Sequence, residues 1–148
     1  MNSVLSMIGM ALRAGRLEVG EDCVGQACRE TRCRLALLAG DAGESAGRRF
    51  QRFAQEGRCL AVTLPFSKEE LGGALGRGEC AMAAVTDLGL AQAIAGKLAA
   101  QDPARYTETA DRLRLKADRA AQRRARTAAR NNQQGGGNHA PVTYKKKR

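Results

Sequence analysis

Few side chains here are able to do chemistry, and their spacing excludes most of what they could do. Five cysteines, Cys23, Cys28, Cys33, Cys59 and Cys80, offer metal ligands, disulfide partners or nucleophiles. No two form a Cys-x-x-Cys pair, and the only histidine, His139, stands in a Gly/Asn-rich stretch, so the spacing of a tetrahedral zinc site is missing. An odd thiol count without an export signal points to a reducing, cytoplasmic setting. The cysteines are expected to serve as small hydrophobes in a core, with no metal bound.

Catalysis fares no better. No nucleophile has an evident base, and Gly72-Gly73 and Gly76 fall in a helical pattern rather than in a Gly-rich turn after a strand. Asp41 and Asp87 read as turn and cap residues. The expectation is a protein that is not an enzyme, with no cofactor and no small-molecule substrate.

Charge is the stronger signal. The 148 residues carry a net charge of +10, with 25 Lys/Arg against 15 Asp/Glu. Residues 1–100 hold 12 against 11, and residues 101–148 hold 13 against 4. A near-neutral body with a cationic end suits a polyanion, because cations that neutralise phosphates release condensed counterions. The tail has almost no large apolar residues to insert into a membrane, and no apolar run approaches the ~20 residues of a span. Two Tyr, three Phe and no Trp leave few rings for stacking on bases.

These residues must be positioned by a core of aliphatic side chains. Val4, Leu5, Ile8, Ala11 and Leu12 make one stripe of a helix, with Ser3 placed to cap it and Gly15 to stop it. Leu17 to Val19 is a short extended piece. After Gly20, the carboxylates of Glu21 and Asp22 favour a helix start, and Val24, Ala27 and Cys28 form its apolar face. Leu35 to Ala39 reads as a strand buried on both faces, Gly40 to Gly43 as a turn, and Ala46, Phe50, Phe53 and Ala54 as a third helix ended by Gly57. Cys59 to Leu64 is the next strand. Ser67 to Glu70 has the capping-box pattern of a short helix. Ala81 to Thr86 is the last strand, and Asp87 caps a helix bearing Leu90, Ala91, Ile94 and Leu98. Such alternation predicts helices on both sides of a largely buried four-stranded sheet, an α/β fold over residues 1–100.

Beyond Asp102-Pro103, residues 101–130 are rich in Ala and Arg and favour helix on propensity. With few large apolar residues, the segment is expected to be partly helical when free and to consolidate on a partner. Residues 131–148 read as a disordered Gly/Asn linker and a Lys/Arg terminus.

Four stretches now assembled, in order, resemble the ribosomal 7Ae/30e family of kink-turn RNA-binding domains, its small bacterial ribosome-associated branch above all. They are Ile8-Gly9-Met10-Ala11-Leu12-Arg13-Ala14-Gly15-Arg16-Leu17 with Gly20; Leu35 to Ala42; Leu71-Gly72-Gly73-Ala74-Leu75-Gly76; and Ala83 to Ala91. The resemblance covers roughly residues 3–98 and leaves the tail outside. It implies a three-layer α/β/α sandwich with a mixed sheet, binding RNA at one edge. Carried over, the site is Gly20, Glu21, Asp22, Cys23 and Gln26 at a helix start, Asp41 in a turn, and Gly76, Arg77, Gly78, Glu79 and Cys80 in a loop. The archaeal helix start Gly-Thr-Asn-Glu-x-x-Lys here reads Gly20-Glu21-Asp22-Cys23-Val24-Gly25-Gln26. Carboxylates at Glu21, Asp22 and Glu79 repel phosphate and cannot donate hydrogen bonds.

The expectation is therefore a monomeric protein that binds structured RNA, ribosomal in kind, with ribosomal proteins as further partners. The helix start would offer free amides to RNA. Arg13, Arg16 and Arg77 would flank it, with Arg48, Arg49 and Arg52 as a second basic cluster. Arg112, Arg119, Arg123, Arg124, Arg126, Arg130, Lys145, Lys146 and Lys147 would contact phosphates. Two other readings stay open: a protein–protein adaptor using the basic helix, or an accessory subunit of an RNA-modifying enzyme.

Overall fold

The computed structural model describes residues 2–138, so the expected contacts of Lys145, Lys146 and Lys147 lie outside the described residues. The order of elements is α1 (Ser3–Arg13), β1 (Leu17–Val19), α2 (Glu21–Arg29), β2 (Leu35–Leu38), α3 (Glu44–Gly57), β3 (Leu60–Thr63), α4 (Lys68–Ala74), β4 (Met82–Val85), α5 (Leu88–Gln101) and α6 (Pro103–Asn138). The α/β class is the one the sequence predicts.

The strands form one mixed sheet in the order β1-β4-β2-β3, with β2 parallel to β3 and β4 antiparallel to both β1 and β2. Period-2 alternation sends neighbouring residues to opposite faces. Leu35 and Leu37 of β2, with Ala83 and Val85 of β4, join Ile8, Leu71, Ile94 and Leu98 in one core. Ala36, Leu38, Met82 and Ala84 join Val24, Phe50 and Phe53 in another. Both central strands are therefore buried on both faces, as a continuous apolar run requires.

Most local signals act as read. The Ser67 hydroxyl accepts from the Glu70 amide while the Glu70 carboxylate accepts from the Ser67 amide, a complete capping box. Asp87 accepts from the Leu90 amide at 2.8 Å and starts α5. One cap differs: Asn2, not Ser3, accepts from the Val4 amide, and Ser3 is the first helical residue. Asn2 is the residue with the extended backbone that a cap needs.

The chain divides into two compact units, Met1–Arg114 and Leu115–Arg148, so the first runs past the boundary expected at residue 100. Tyr106 and Leu113, seven residues apart on the opening turns of α6, are almost fully buried in the same core as α1 and α5. The Tyr106 hydroxyl donates to the Thr63 carbonyl at 2.6 Å. These two side chains on one face seat residues 103–114 in the core, a part of the 101–130 segment that its sparse apolar content did not suggest would pack. In the second unit the helix continues to Asn138, through the first eight residues of the expected linker. Each residue added to an existing helix gains one backbone hydrogen bond without a new nucleus.

Candidate nucleic-acid interface

The sheet register gathers most of the expected site at one end. Val19 pairs with Ala83 and Leu38 with Met82, so the exits of β1 and β2 and the start of β4 lie together. Backbone bonds tie the connecting segments there. The Gly20 amide donates to the Met82 carbonyl at 3.1 Å and the Ala39 amide to Ala81 at 2.8 Å. Gly40 donates to Phe66 at 2.7 Å, and the Cys80 amide donates to Lys68 at 3.0 Å. The start of α2, the turn around Asp41, the start of α4 and the loop before β4 thus meet.

Gly20 holds φ +95° and ψ 160°, a backbone region open essentially to glycine alone. A Cβ there would meet nothing within 4 Å, so conformation rather than crowding requires the glycine. No side chain caps the helix that follows, and its first amides are free of intrahelical partners. Asp22 and Cys23 are exposed. Glu21 forms an ion pair with Arg49 of α3, each side chain roughly two-fifths exposed. That contact offsets a carboxylate that would otherwise repel phosphate at the helix start. It also spends one member of the expected Arg48, Arg49 and Arg52 cluster. Arg48 pairs with Glu44 at 3.1 Å, and Arg52 lies over the Phe53 ring. The Gln26 amide is engaged with Glu30 at 3.1 Å.

The other expected residues divide by role. Asp41 is exposed, yet its carboxylate accepts from the Lys68 amide at 2.7 Å, which makes it a clamp between the turn and α4. Gly76, Arg77, Gly78 and Glu79 are exposed in the loop. That loop folds tightly on α4: a Cβ at Gly72 would come 2.8 Å from the Gly78 carbonyl oxygen, so the position admits only glycine without a backbone shift. Cys80 is buried, its thiol donates to the Met82 carbonyl at 3.2 Å, and burial pushes its pKa up. It shapes the loop's return and is not available to a ligand.

Arg16 stands away from the helix start. The Thr86 amide donates to the Arg16 carbonyl and Leu17 pairs with Val85, which places Arg16 at the far end of β1 from Gly20. Arg13 closes α1 just before it. Arg34, whose amide donates to Val85, joins them at that end and went unnoticed in the sequence, where nothing links it to the other two. Of the three arginines expected to flank the helix start, Arg77 stands in the loop tied to this end of the sheet, and the Arg13 guanidinium folds back over Gly9 beside Ala74 of α4.

In the second unit, Lys116, Arg119, Arg123, Arg126 and Arg130 recur at three- and four-residue steps, forming one stripe of α6. At ~1.5 Å per residue the stripe is about 21 Å long. All five are exposed, as is Arg124 beside them, and Asp118 is the only acidic residue of this unit. Arg112 belongs to the first unit and pairs with Glu108 at 3.7 Å. The stripe is legible as a period in the sequence once the helix is known to be continuous.

A second constellation was not foreseen. The sulfurs of Cys28, Cys33 and Cys59 all lie within 4.8 Å of one another, with Cys28 and Cys59 at 4.0 Å. Burial pushes the Cys28 thiol up to about 11, with Cys59 beside it adding to the effect. Hydrogen bonding with Cys59, then burial, raises Cys33 as well. Spacings of five and 26 residues carry no ligand signature, so only the fold reveals the cluster.

No family model matches the chain, and no curated protein does. Among solved structures it is similar to a protein with unknown function from Bacillus halodurans C. The two share 26% sequence identity and a TM-score of 0.60, over 66% of this chain and 97% of that one. The likeness supports the fold. No described helix is long and apolar enough to cross a membrane.

Proposed function

We propose that this protein binds structured RNA without catalysing a reaction on it. The first unit would supply selectivity at the Gly20 end of its sheet, and the second would supply phosphate contacts. The observation that carries this reading is the segregation of charge along the fold. Met1–Arg114 holds 15 Lys/Arg against 14 Asp/Glu, whereas Leu115–Arg148 holds 10 against 1. A helix with a cationic stripe suits a sugar–phosphate chain, while uncapped amides at a helix start suit a single phosphate or base edge. Structured RNA is read through shape, backbone and unpaired bases, which such an arrangement can engage. The resemblance to ribosomal 7Ae/30e proteins favours ribosomal RNA, and with it a role on the ribosome or in its assembly.

The test is binding to ribosomal RNA fragments across a salt series, comparing the full chain with a form ending at Arg114. About five phosphate contacts give a slope of log K against log salt of about −3.5 to −4.5. The shorter form should keep its preference among fragments with a much shallower slope. Salt-insensitive binding by the full chain would refute the phosphate role of the second unit. Equal affinity of the shorter form for every RNA would refute the selectivity of the first.

A further inference from the structure

We propose that Cys28, Cys33 and Cys59 form a binding site for one thiophilic divalent cation of the zinc group, held by three thiolates. The site is independent of the RNA reading. Cys28 lies on the last turn of α2, and Cys33 just before β2, so the cluster sits at the opposite end of α2 from Gly20.

Geometry comes first. Zinc–thiolate bonds of ~2.3 Å place sulfurs about 3.8–4.0 Å apart around a tetrahedral or trigonal ion. The Cys28–Cys59 separation is 4.0 Å, and the 4.8 Å bound on the trio leaves less than an ångström of closure. Among the described residues no histidine or carboxylate joins the group, so it is a sulfur-only donor set, which selects soft cations over magnesium or calcium. Cys28 and Cys33 are buried and Cys59 is half-buried, so the cluster is shielded from bulk water without being sealed from it.

The backbone that presents the thiols is unusual. Only two non-glycine residues among those described have positive φ, Thr31 at 57° and Arg58 at 52°. Thr31 lies between Cys28 and Cys33, and Arg58 immediately precedes Cys59. Each closes a helix in the left-handed conformation common at helix ends, the Thr31 amide donating to the Cys28 carbonyl at 3.0 Å and the Arg58 amide to Gln55 at 3.2 Å, which fixes the turns beside the cysteines. The helices bearing the cluster are packed hard together, since a Cβ at Gly57 would lie 3.0 Å from the Cys28 Cβ. Glu56 of α3 is the charged side chain outside the trio that acts on Cys28, and like burial it favours the protonated thiol until a cation binds. Binding needs no oxidant: three S–H protons pass to buffer as three metal–sulfur bonds form.

The experiment titrates the full-length, reduced protein with Cd2+ in oxygen-free buffer, reading the thiolate-to-metal absorption, and with Zn2+ against a chromogenic chelator. One ion should bind per chain. Cys33→Ser and Cys59→Ser should each weaken binding by about 100-fold or more, since direct ligands matter at least as much as the groups that orient them. Cys23→Ser and Cys80→Ser should bind as the parent does. No absorption at one equivalent overturns the proposal, as does full binding by Cys59→Ser or an equal loss in Cys23→Ser. Should both cluster variants lose their far-ultraviolet helical signal, the Cys23→Ser/Cys80→Ser double variant decides. It must still bind one ion and melt higher with it, and failure on either count overturns the site.

Discussion

Docking of the opening turns of α6 can be tested with two leucines two positions apart. Leu113 is fully buried in the core shared with α1 and α5, whereas Leu115 is 49% exposed. Leu113→Ala removes the buried isobutyl group and leaves a cavity whose lining comes from several elements. Such changes cost about 2–5 kcal/mol, and full burial places this one near 3 kcal/mol. For a unit of this size that corresponds to a fall in Tm of roughly 12 °C, at about 4 °C per kcal/mol. Leu115→Ala should stay within about 0.5 kcal/mol. Urea and thermal unfolding of both variants, followed by far-ultraviolet circular dichroism, gives the comparison. The loss from Leu113→Ala cannot exceed the docking free energy of the segment, because the segment can release instead. Equal effects of the two substitutions would refute the docking, and the domain would then end near residue 100.

Other outcomes follow from the same geometry. Gly20→Ala should destabilise the protein by about 1–3 kcal/mol through backbone conformation alone, since the added methyl meets open space; unchanged urea midpoints would show that α2 starts otherwise. Asp41→Ala removes the acceptor of the Lys68 amide and should cost about 1 kcal/mol, with amide exchange at Lys68 accelerating. Tyr106→Phe should cost about 1 kcal/mol at neutral pH by deleting the hydrogen bond to Thr63. Burial raises the Tyr106 pKa above its ordinary 10.0, so the native state keeps this proton after the unfolded chain begins to lose it. The stability it contributes is complete below pH 10.0 and falls as pH rises toward the higher native value, so Tm should decline less steeply in alkali for Tyr106→Phe than for the parent.

Where the sequence misled, it did so for reasons that can be named. Tyr106 and Leu113 looked too sparse to dock a segment, because a count of apolar residues does not show whether two of them meet a core left open by α1 and α5. Arg13, Arg16 and Arg77 looked like neighbours of Gly20 since the first two are near it in the chain. A three-residue strand intervenes, and it carries Arg16 to the other end of the sheet. Arg49 was grouped with Arg48 and Arg52, yet helical geometry turns successive side chains about 100° apart, and Arg49 alone reaches Glu21. The bond from the Lys68 amide to the Asp41 carboxylate, 27 residues apart, has no signal in the sequence beyond the turn around Asp41.

The sequence alone determined what depends on neighbours along the chain. Periodicity, caps and breakers marked the strands and helices of the sandwich, and composition placed the cationic excess at one end. Register in space was beyond it. Which loops converge on Gly20, which carboxylates are neutralised, and which thiols meet were decided only when β4 paired between β1 and β2 and α3 packed on α2. Pairing and packing of that kind join residues far apart in sequence. Hence Cys28, Cys33 and Cys59 read as unrelated core filler in one dimension and as a single cluster in three.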